Sequence, residues 1–201
     1  MSLISFYIQV LRALEDIHAP YMIVGAFGAT TFGLSRSTAD VDMVVALQDD
    51  HCDLLAARFP PPRYYADPDQ MREGMALGIM FNLIDGTLGA KADLVPLTKR
   101  PDHVEAFGRR VRRAFREESG STFEAWCARG DDIIVGKLVV WDEGQSAKHP
   151  NDIATLLKFD AAGMNARYPL DLDYIGRRAM HISPRATDLW RGLVQRFYSV
   201  R

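Results

Sequence analysis

Apolar residues recur at helical spacing through the first part of the chain. They stand at Leu3, Phe6, Tyr7, Val10, Leu11, Leu14 and Ile17. Because residues three and four positions apart share one face of a helix, the pattern predicts an amphipathic helix over residues 2–17. We expect the helix to end before Pro20 and to pack against a sheet.

The pattern changes over residues 21–45, where short apolar runs are separated by small residues. Residues 21–24 have the character of a strand, and the chain then turns at Gly25. A run of small residues up to Gly33 predicts a short helix, and a second strand begins at Asp40.

Helices and strands are also predicted for the rest of the chain. We expect a helix over 51–58 with Asp49 and Asp50 as its caps, and a loop over 60–74 because that segment holds four prolines. The remaining elements are strands over 78–84 and 90–96, a short helix over 101–107, a hairpin of 111–116 with 122–127, and helices over 131–143, 150–161, 171–180 and 184–198.

The composition limits the classes of protein that this chain can represent. Its 201 residues, 48% of them hydrophobic, suit one domain or a catalytic half followed by a helical half. The net charge of -2 gives no overall attraction to nucleic acid or membrane, and no apolar run approaches the ~20 residues that cross a bilayer. The N-terminus lacks the features of a signal peptide, so we expect a cytoplasmic location and no membrane partner. Cys52 and Cys127 stand far apart and are expected to be buried rather than bridged.

Two carboxylates open the second predicted strand. Since side chains alternate faces along a strand, Asp40 and Asp42 project from one face. Their charges repel, and neither has a lysine or arginine next to it in the sequence. A solvated strand end is one interpretation, and a divalent cation between the two acids is the other. Backbone N–H groups in the preceding turn suit phosphates, so the order of parts indicates a nucleoside triphosphate with its magnesium.

The segment YMIVGAFGATTFGLSRSTADVDMVV resembles the signature of the DNA polymerase β-type nucleotidyltransferase superfamily. The match is to its small bacterial members, the minimal nucleotidyltransferases and AbiEii-like toxins, which read V-G-G-x-A…G…R-x-T-x-D-I-D. Ala26 departs from this pattern, because Gly or Ser is usual there, and it offers no hydroxyl to a phosphate. The resemblance implies an α+β fold: a small mixed sheet with flanking helices over residues 1–128, followed by a C-terminal helical region over 129–201 packed on that core.

The same resemblance implies a set of three catalytic and metal-binding carboxylates. Asp40 and Asp42 would hold two Mg²⁺ ions, or Mn²⁺ in their place. Asp93, which faces away from Ala92 and Leu94 on the 90–96 strand, would be the third carboxylate. Its rivals for that role are Asp85, Asp67 and Asp69.

A second resemblance to the same small nucleotidyltransferases covers residues 131–157. In those proteins an acidic pair opens a helix, a Lys-Leu pair follows, and a Lys/Arg-x-x-x-Asp-Ile group starts the next helix; here these are Asp132, Lys137-Leu138 and Lys148 to Ile153. Lys137 stands among apolar residues, where an ammonium needs a partner. The triphosphate is one candidate and Asp152 is the other. The nucleotide-binding residues implied are Gly25, Ala26, Arg36, Thr38 and Lys137.

The implied activity is transfer of a nucleoside monophosphate from a nucleoside triphosphate to an acceptor, with release of pyrophosphate. The acceptor stays open between RNA or tRNA, a protein, and a small molecule such as an aminoglycoside. A tRNA-modifying toxin would have an antitoxin as its partner.

Two kinds of non-enzyme remain as alternatives, a non-catalytic nucleotide-binding protein and an RNA-binding interaction protein on the same fold. The arginines of residues 109–116 bear on the second of these. They either follow a nucleic-acid backbone or form a solvated face that neighbouring glutamates offset.

Overall fold

The computed structural model describes residues 2–35, 38–98, 100–117 and 120–198. The chain forms two compact units. The first comprises Met1–Phe27 and Ser37–Cys127, and the second comprises Gly28–Arg36 and Ala128–Arg201. The segment after the glycine turn thus groups with the C-terminal part of the chain, and a domain boundary at residue 128 stays a prediction.

The first unit is built on a seven-stranded mixed sheet, which confirms the predicted α+β class. Its strands are β1 (Tyr21–Ile23), β2 (Asp40–Val45), β3 (Tyr64–Tyr65), β4 (Phe81–Asp85), β5 (Ala90–Pro96), β6 (Val111–Arg116) and β7 (Thr122–Cys127). They lie in the order β3-β4-β5-β2-β1-β7-β6. The pairs β2–β5 and β1–β7 are parallel, and the other neighbours are antiparallel. The parallel pair β2–β5 carries the predicted acids Asp40, Asp42 and Asp93.

Five α-helices lie within the described residues before 128. They are α1 (Leu3–Asp16), α2 (Gly25–Ala29), α3 (Asp49–Arg58), α4 (Pro68–Leu77) and α5 (Pro101–Gly108). The predicted first helix is confirmed: α1 buries its apolar face, including Phe6 and Leu11, and contacts β5 and α3. The α3 cap is Gln48 rather than the predicted Asp49 and Asp50, which lie in the first turn instead. Negative charge is favourable there because the N-terminus of a helix carries a partial positive charge.

The predicted loop over residues 60–74 is wrong, because this segment contains β3 and most of α4. Asp67 caps α4, and its carboxylate accepts the backbone N–H groups of Asp69 and Gln70. Pro68 occupies the first turn, where a missing N–H costs nothing. A proline that would break a helix interior therefore begins this one.

The second unit is helical, as predicted. Its long helices are α6 (Gly130–Gly144), α7 (Lys148–Ala161), α8 (Leu172–Ile182) and α9 (Pro184–Tyr198). Helix α6 contacts the other three, and α8 packs against α9. Its core includes the fully buried side chains of Ile134, Leu138, Ile153 and Leu156.

Two further expectations concern the described residues as a whole. Cys52 and Cys127 are buried and form no disulfide, as predicted. None of the helices in the described part of the chain is both long and apolar enough to span a membrane.

Candidate active site

Strand β2 alternates between core and half-buried positions. Val41, Met43 and Val45 are fully buried, whereas Asp40 and Asp42 are half-buried on the other face. The apolar side chains hold the strand in the core, so the two carboxylates are presented together, as the alternation predicted.

The register between β2 and β5 brings a third carboxylate to the same face. Asp42 pairs with Asp93 and Asp40 pairs with Lys91. Neighbouring strands lie ~4.8 Å apart, and residues directly opposite each other point to the same side of the sheet. Four charged side chains therefore share one patch of the first unit, which we call the acid cluster: Asp40, Asp42, Lys91 and Asp93.

Asp93 is the most enclosed member of the acid cluster, at 6% exposed. Its Oδ1 accepts a hydrogen bond from Asn82 Nδ2 on β4 at 2.5 Å, and its Oδ2 lies 2.8 Å from Lys91 Nζ. Both carboxylate oxygens thus have a partner, one neutral and one charged.

Lys91 was not anticipated from the sequence, because its partners lie across strands or two residues away. Its pKa is raised, chiefly by the hydrogen bond to Asp93; burial opposes this rise, and the negative charges of Asp93, Asp40 and Asp42 add to it. Its ammonium is thus the ion-pair partner of Asp93 and also lies in the negative field of Asp40 and Asp42.

Gly25 is required by the position of Asp42. Its φ is +65°, in the left-handed region that favours glycine, and a Cβ on this residue would lie 2.0 Å from Asp42 Oδ2. The Val24 N–H also donates to the Asp42 carbonyl at 2.9 Å. The glycine turn and the acid pair are therefore one packed arrangement.

Asp40 is held from the other side by Thr38 and Tyr7. The Thr38 hydroxyl donates to Asp40 Oδ1 at 2.6 Å, and the Tyr7 hydroxyl donates to the Thr38 carbonyl at 3.3 Å. Burial raises the pKa of Tyr7 to about 12, and the negative charges of Asp40 and Asp42 add to this rise. Helix α1 thus contributes Tyr7 to the surroundings of the acids, which its helical spacing alone did not indicate.

The acid cluster has the donor chemistry of a magnesium site, because carboxylate oxygens are the ligands this hard cation prefers. One of these oxygens, Asp93 Oδ2, already lies beside a cation, the Lys91 ammonium at 2.8 Å. Among the residues that the structure describes, no group of three or more Asp, Glu, His and Cys side chains stands ready to hold a metal.

The predicted nucleotide-binding residues are placed as follows. In the first unit, Gly25 lies against Asp42 and Thr38 donates to Asp40, while Ala26 follows Gly25 with its side chain buried. Arg36 lies outside the described residues. Lys137 belongs to the second unit, where its Nζ is 2.7 Å from Asp152 Oδ2. Of the two predicted partners for this ammonium, the carboxylate is in contact with it, and its role toward a triphosphate stays a prediction.

The rivals for the third carboxylate have other contacts. Asp85 is fully buried, with Arg63 Nη2 at 2.7 Å and two backbone N–H groups on its other oxygen. Asp67 caps α4, and Asp69 pairs with Arg72 on the surface. Structural roles thus account for all three.

Two of the arginines in the basic segment also take part in the fold. Arg110 lies over the rings of Phe107 at 4.3 Å and Trp126 at 4.9 Å, and burial lowers its pKa. Arg112 pairs with Glu15 and lies over Trp126 at 5.2 Å. These contacts favour the interpretation in which the arginines interact within the protein over the one in which they follow a nucleic-acid backbone.

Solved structures of the nucleotidyltransferase fold match this chain. An antigenic nucleotidyltransferase-like protein from Paracoccidioides brasiliensis is 13% identical, with a TM-score of 0.52 over 97% of this chain and 88% of that one. ANT(2'')-Ia in complex with adenylyl-2''-tobramycin is 14% identical, with a TM-score of 0.49 over 96% of this chain and 98% of that one. JHP933 from Helicobacter pylori is 14% identical, with a TM-score of 0.48 over 95% of this chain and 78% of that one.

At these identities the matches define the fold alone, and the two TM-scores below 0.5 add no argument about function. Comparisons with known protein families and with curated proteins found no match. The narrower resemblance to AbiEii-like toxins stays a prediction.

Proposed function

We propose that this protein is a nucleotidyltransferase that transfers a nucleoside monophosphate from a nucleoside triphosphate to an acceptor. The observation that carries the proposal is the register of β2 with β5, in which Asp42 stands opposite Asp93 with Asp40 on the same face. The glycine turn packed against Asp42 adds to it, because it brings backbone close to the acids. The likeness of the fold to a nucleotidyltransferase-like protein supports the same conclusion.

In the proposed reaction an acceptor oxygen forms a bond to the α-phosphorus, and the bond from that phosphorus to the bridging oxygen of the β-phosphate breaks. Pyrophosphate leaves, and the proton of the acceptor hydroxyl passes to the Asp93 carboxylate. Asp40, Asp42 and Asp93 would hold Mg²⁺ or Mn²⁺, which when bound supplies positive charge for the attacking and leaving oxygens.

The remaining predicted residues would bind the triphosphate. Backbone N–H groups of Gly25 and Ala26 would approach its phosphates, since neither residue has a large side chain. Thr38 orients Asp40 through its hydroxyl. Arg36 and Lys137 are the proposed cationic contributors, and the ion pair of Lys137 with Asp152 makes its role the first to test.

A transfer assay tests the proposal directly. The protein is incubated with each α-labelled nucleoside triphosphate, Mg²⁺ and one acceptor class at a time: tRNA, protein or aminoglycoside. We expect label transfer and pyrophosphate release with one class, and neither with EDTA. Asp40→Asn should abolish transfer without lowering the melting temperature of the metal-free protein, because it removes one of two repelling charges and still accepts from Thr38.

A non-catalytic nucleotide-binding protein is the second candidate. The observation that favours it is the occupation of both Asp93 oxygens by Asn82 and Lys91. Calorimetric binding of a triphosphate, with no label transfer to any acceptor class, would support this candidate. Triphosphate binding that is equal in Mg²⁺ and in EDTA would refute the metal-dependent mechanism.

A further inference from the structure

Lys91 lies where the proposed reaction needs a metal ion. Its ammonium contacts Asp93 Oδ2 at 2.8 Å, and the charges of Asp40 and Asp42 act on it as well. Of the charged side chains that β2 and β5 place on this face, three are carboxylates and one is an ammonium, and a divalent ion held by the carboxylates would contact Asp93 as well. The lysine and that ion therefore need the same carboxylate oxygen.

We propose that Lys91 is a built-in competitor of the metal: its ammonium holds Asp93 in the nucleotide-free protein and releases it when metal and triphosphate arrive together. The inference rests on the proposed function, because it takes Asp93 as a metal ligand. Lys91 is a positioning residue in this scheme, since it acts on the reaction through Asp93.

The two partners differ in their freedom to move. The Asp93 side chain is buried and accepts a hydrogen bond from Asn82 on β4, whereas the Lys91 side chain is 39% exposed. A lysine has a long flexible stem with an ammonium that can change partners. The lysine can therefore leave while the carboxylate stays in place.

The triphosphate also offers the lysine a new partner. Phosphate oxygens form charge-assisted hydrogen bonds with ammonium groups. A metal that arrives alone must displace Lys91 without compensation, whereas a metal that arrives with a triphosphate brings a replacement for the lost ion pair. Metal binding should therefore be weak in the free protein and strong in the complex.

The test is titration of the nucleotide-free protein with Mn²⁺ alone, with free Mn²⁺ measured by electron paramagnetic resonance. Lys91→Gln and Lys91→Met should bind Mn²⁺ roughly tenfold to a hundredfold more tightly than the wild type, which corresponds to removing one hydrogen bond to a charged group. Lys91→Arg keeps the charge and should bind like the wild type. Asp93→Asn should bind more weakly than the wild type.

A matched control removes the same charge from another ion pair of the first unit. Arg58 in α3 lies 2.8 Å from Asp16, and Arg58→Gln should leave the Mn²⁺ affinity unchanged. Circular dichroism verifies the fold of every variant. In melting experiments, Mn²⁺ should raise the melting temperature of Lys91→Gln more than that of the wild type.

The outcomes separate this inference from the proposed function. If Asp93→Asn loses Mn²⁺ while the neutral Lys91 variants bind like the wild type, the competition is refuted and the metal site stands. If Arg58→Gln tightens binding as much as Lys91→Gln, the effect is one of overall charge and the inference is overturned. If no variant binds Mn²⁺ and label transfer also fails, both the inference and the proposed function are wrong.

Discussion

Removing one charge from the Lys137–Asp152 ion pair should destabilise the C-terminal helical unit strongly. The two charged atoms are 2.7 Å apart, and the side chains are only 6% and 5% exposed. Lys137→Ala leaves the Asp152 carboxylate buried without its ammonium, which costs about 3–5 kcal/mol. Asp152→Ala should cost a similar amount, because it leaves the Lys137 ammonium buried without the Asp152 carboxylate.

The double variant distinguishes the ion pair from simple loss of packing. Lys137→Met combined with Asp152→Leu removes both charges and fills the space with apolar atoms, so most of the lost stability should return. The coupling between the two sites should therefore be large, as expected for residues in direct contact.

Urea unfolding followed by far-ultraviolet circular dichroism measures these changes, and calorimetry measures triphosphate affinity on the same samples. The control is the exposed pair Arg58–Asp16, which has a similar separation of 2.8 Å but side chains 50% and 55% exposed. Arg58→Ala should cost only about 0.2–1 kcal/mol, because water screens an exposed pair.

The opposite pattern would refute this reasoning. If Lys137→Ala costs no more stability than Arg58→Ala but weakens triphosphate binding roughly tenfold to a hundredfold, its main partner is the nucleotide. The prediction that Lys137 binds the triphosphate would then be correct, and its ion pair with Asp152 would form only in the nucleotide-free protein.

Two further predictions concern the first unit. Gly25→Ala should destabilise the protein more than Gly89→Ala in urea unfolding. With φ of +65° and +62°, both variants carry a backbone strain of about 1–3 kcal/mol, but only at Gly25 does the new methyl group meet Asp42. Equal losses of stability in the two variants would mean that Asp42 moves aside freely. Asp85→Asn should reduce the loss of unfolding free energy that occurs as the pH falls in the acid range. The reason is that the hydrogen bonds from Arg63 and from two backbone N–H groups hold the pKa of Asp85 below its ordinary 3.8. The stability from Asp85 is thus present above that value and is lost as the pH falls through the lower folded value, so an unchanged loss in the variant would contradict the assignment.

Local patterns in the sequence predicted most of the elements. The bounds of β5, β6 and β7 agree with the prediction, because alternation and turn residues act over a few positions. Helix α4 was missed because proline was read as a breaker, although Asp67 followed by Pro68 is also a helix start. The same prolines suit a loop or the start of a helix, and the position of Asp67 as the cap just before Pro68 decides for the helix.

The candidate site was harder to predict because it depends on register. Asp40 and Asp42 share a strand, so their common face follows from the sequence. Their proximity to Asp93 depends on the parallel pairing of β2 with β5, whose residues are about fifty positions apart in the chain. Lys91 was overlooked for the same reason, since neighbours along the sequence gave no indication that it faces the acids.

The strand order has a consequence for self-association. Strands β3 and β6 lie at the two edges of the sheet, where unpaired backbone N–H and C=O groups can recruit a strand from another molecule. Strand β3 is two residues long and offers little to pair with, whereas β6 spans six residues and carries Arg113 and Arg116 besides Arg112, which is paired with Glu15. If two copies met along β6, these like charges would face each other and repel. Charged side chains on an edge strand disfavour such pairing, so the arginines have a use in the fold that requires no nucleic acid.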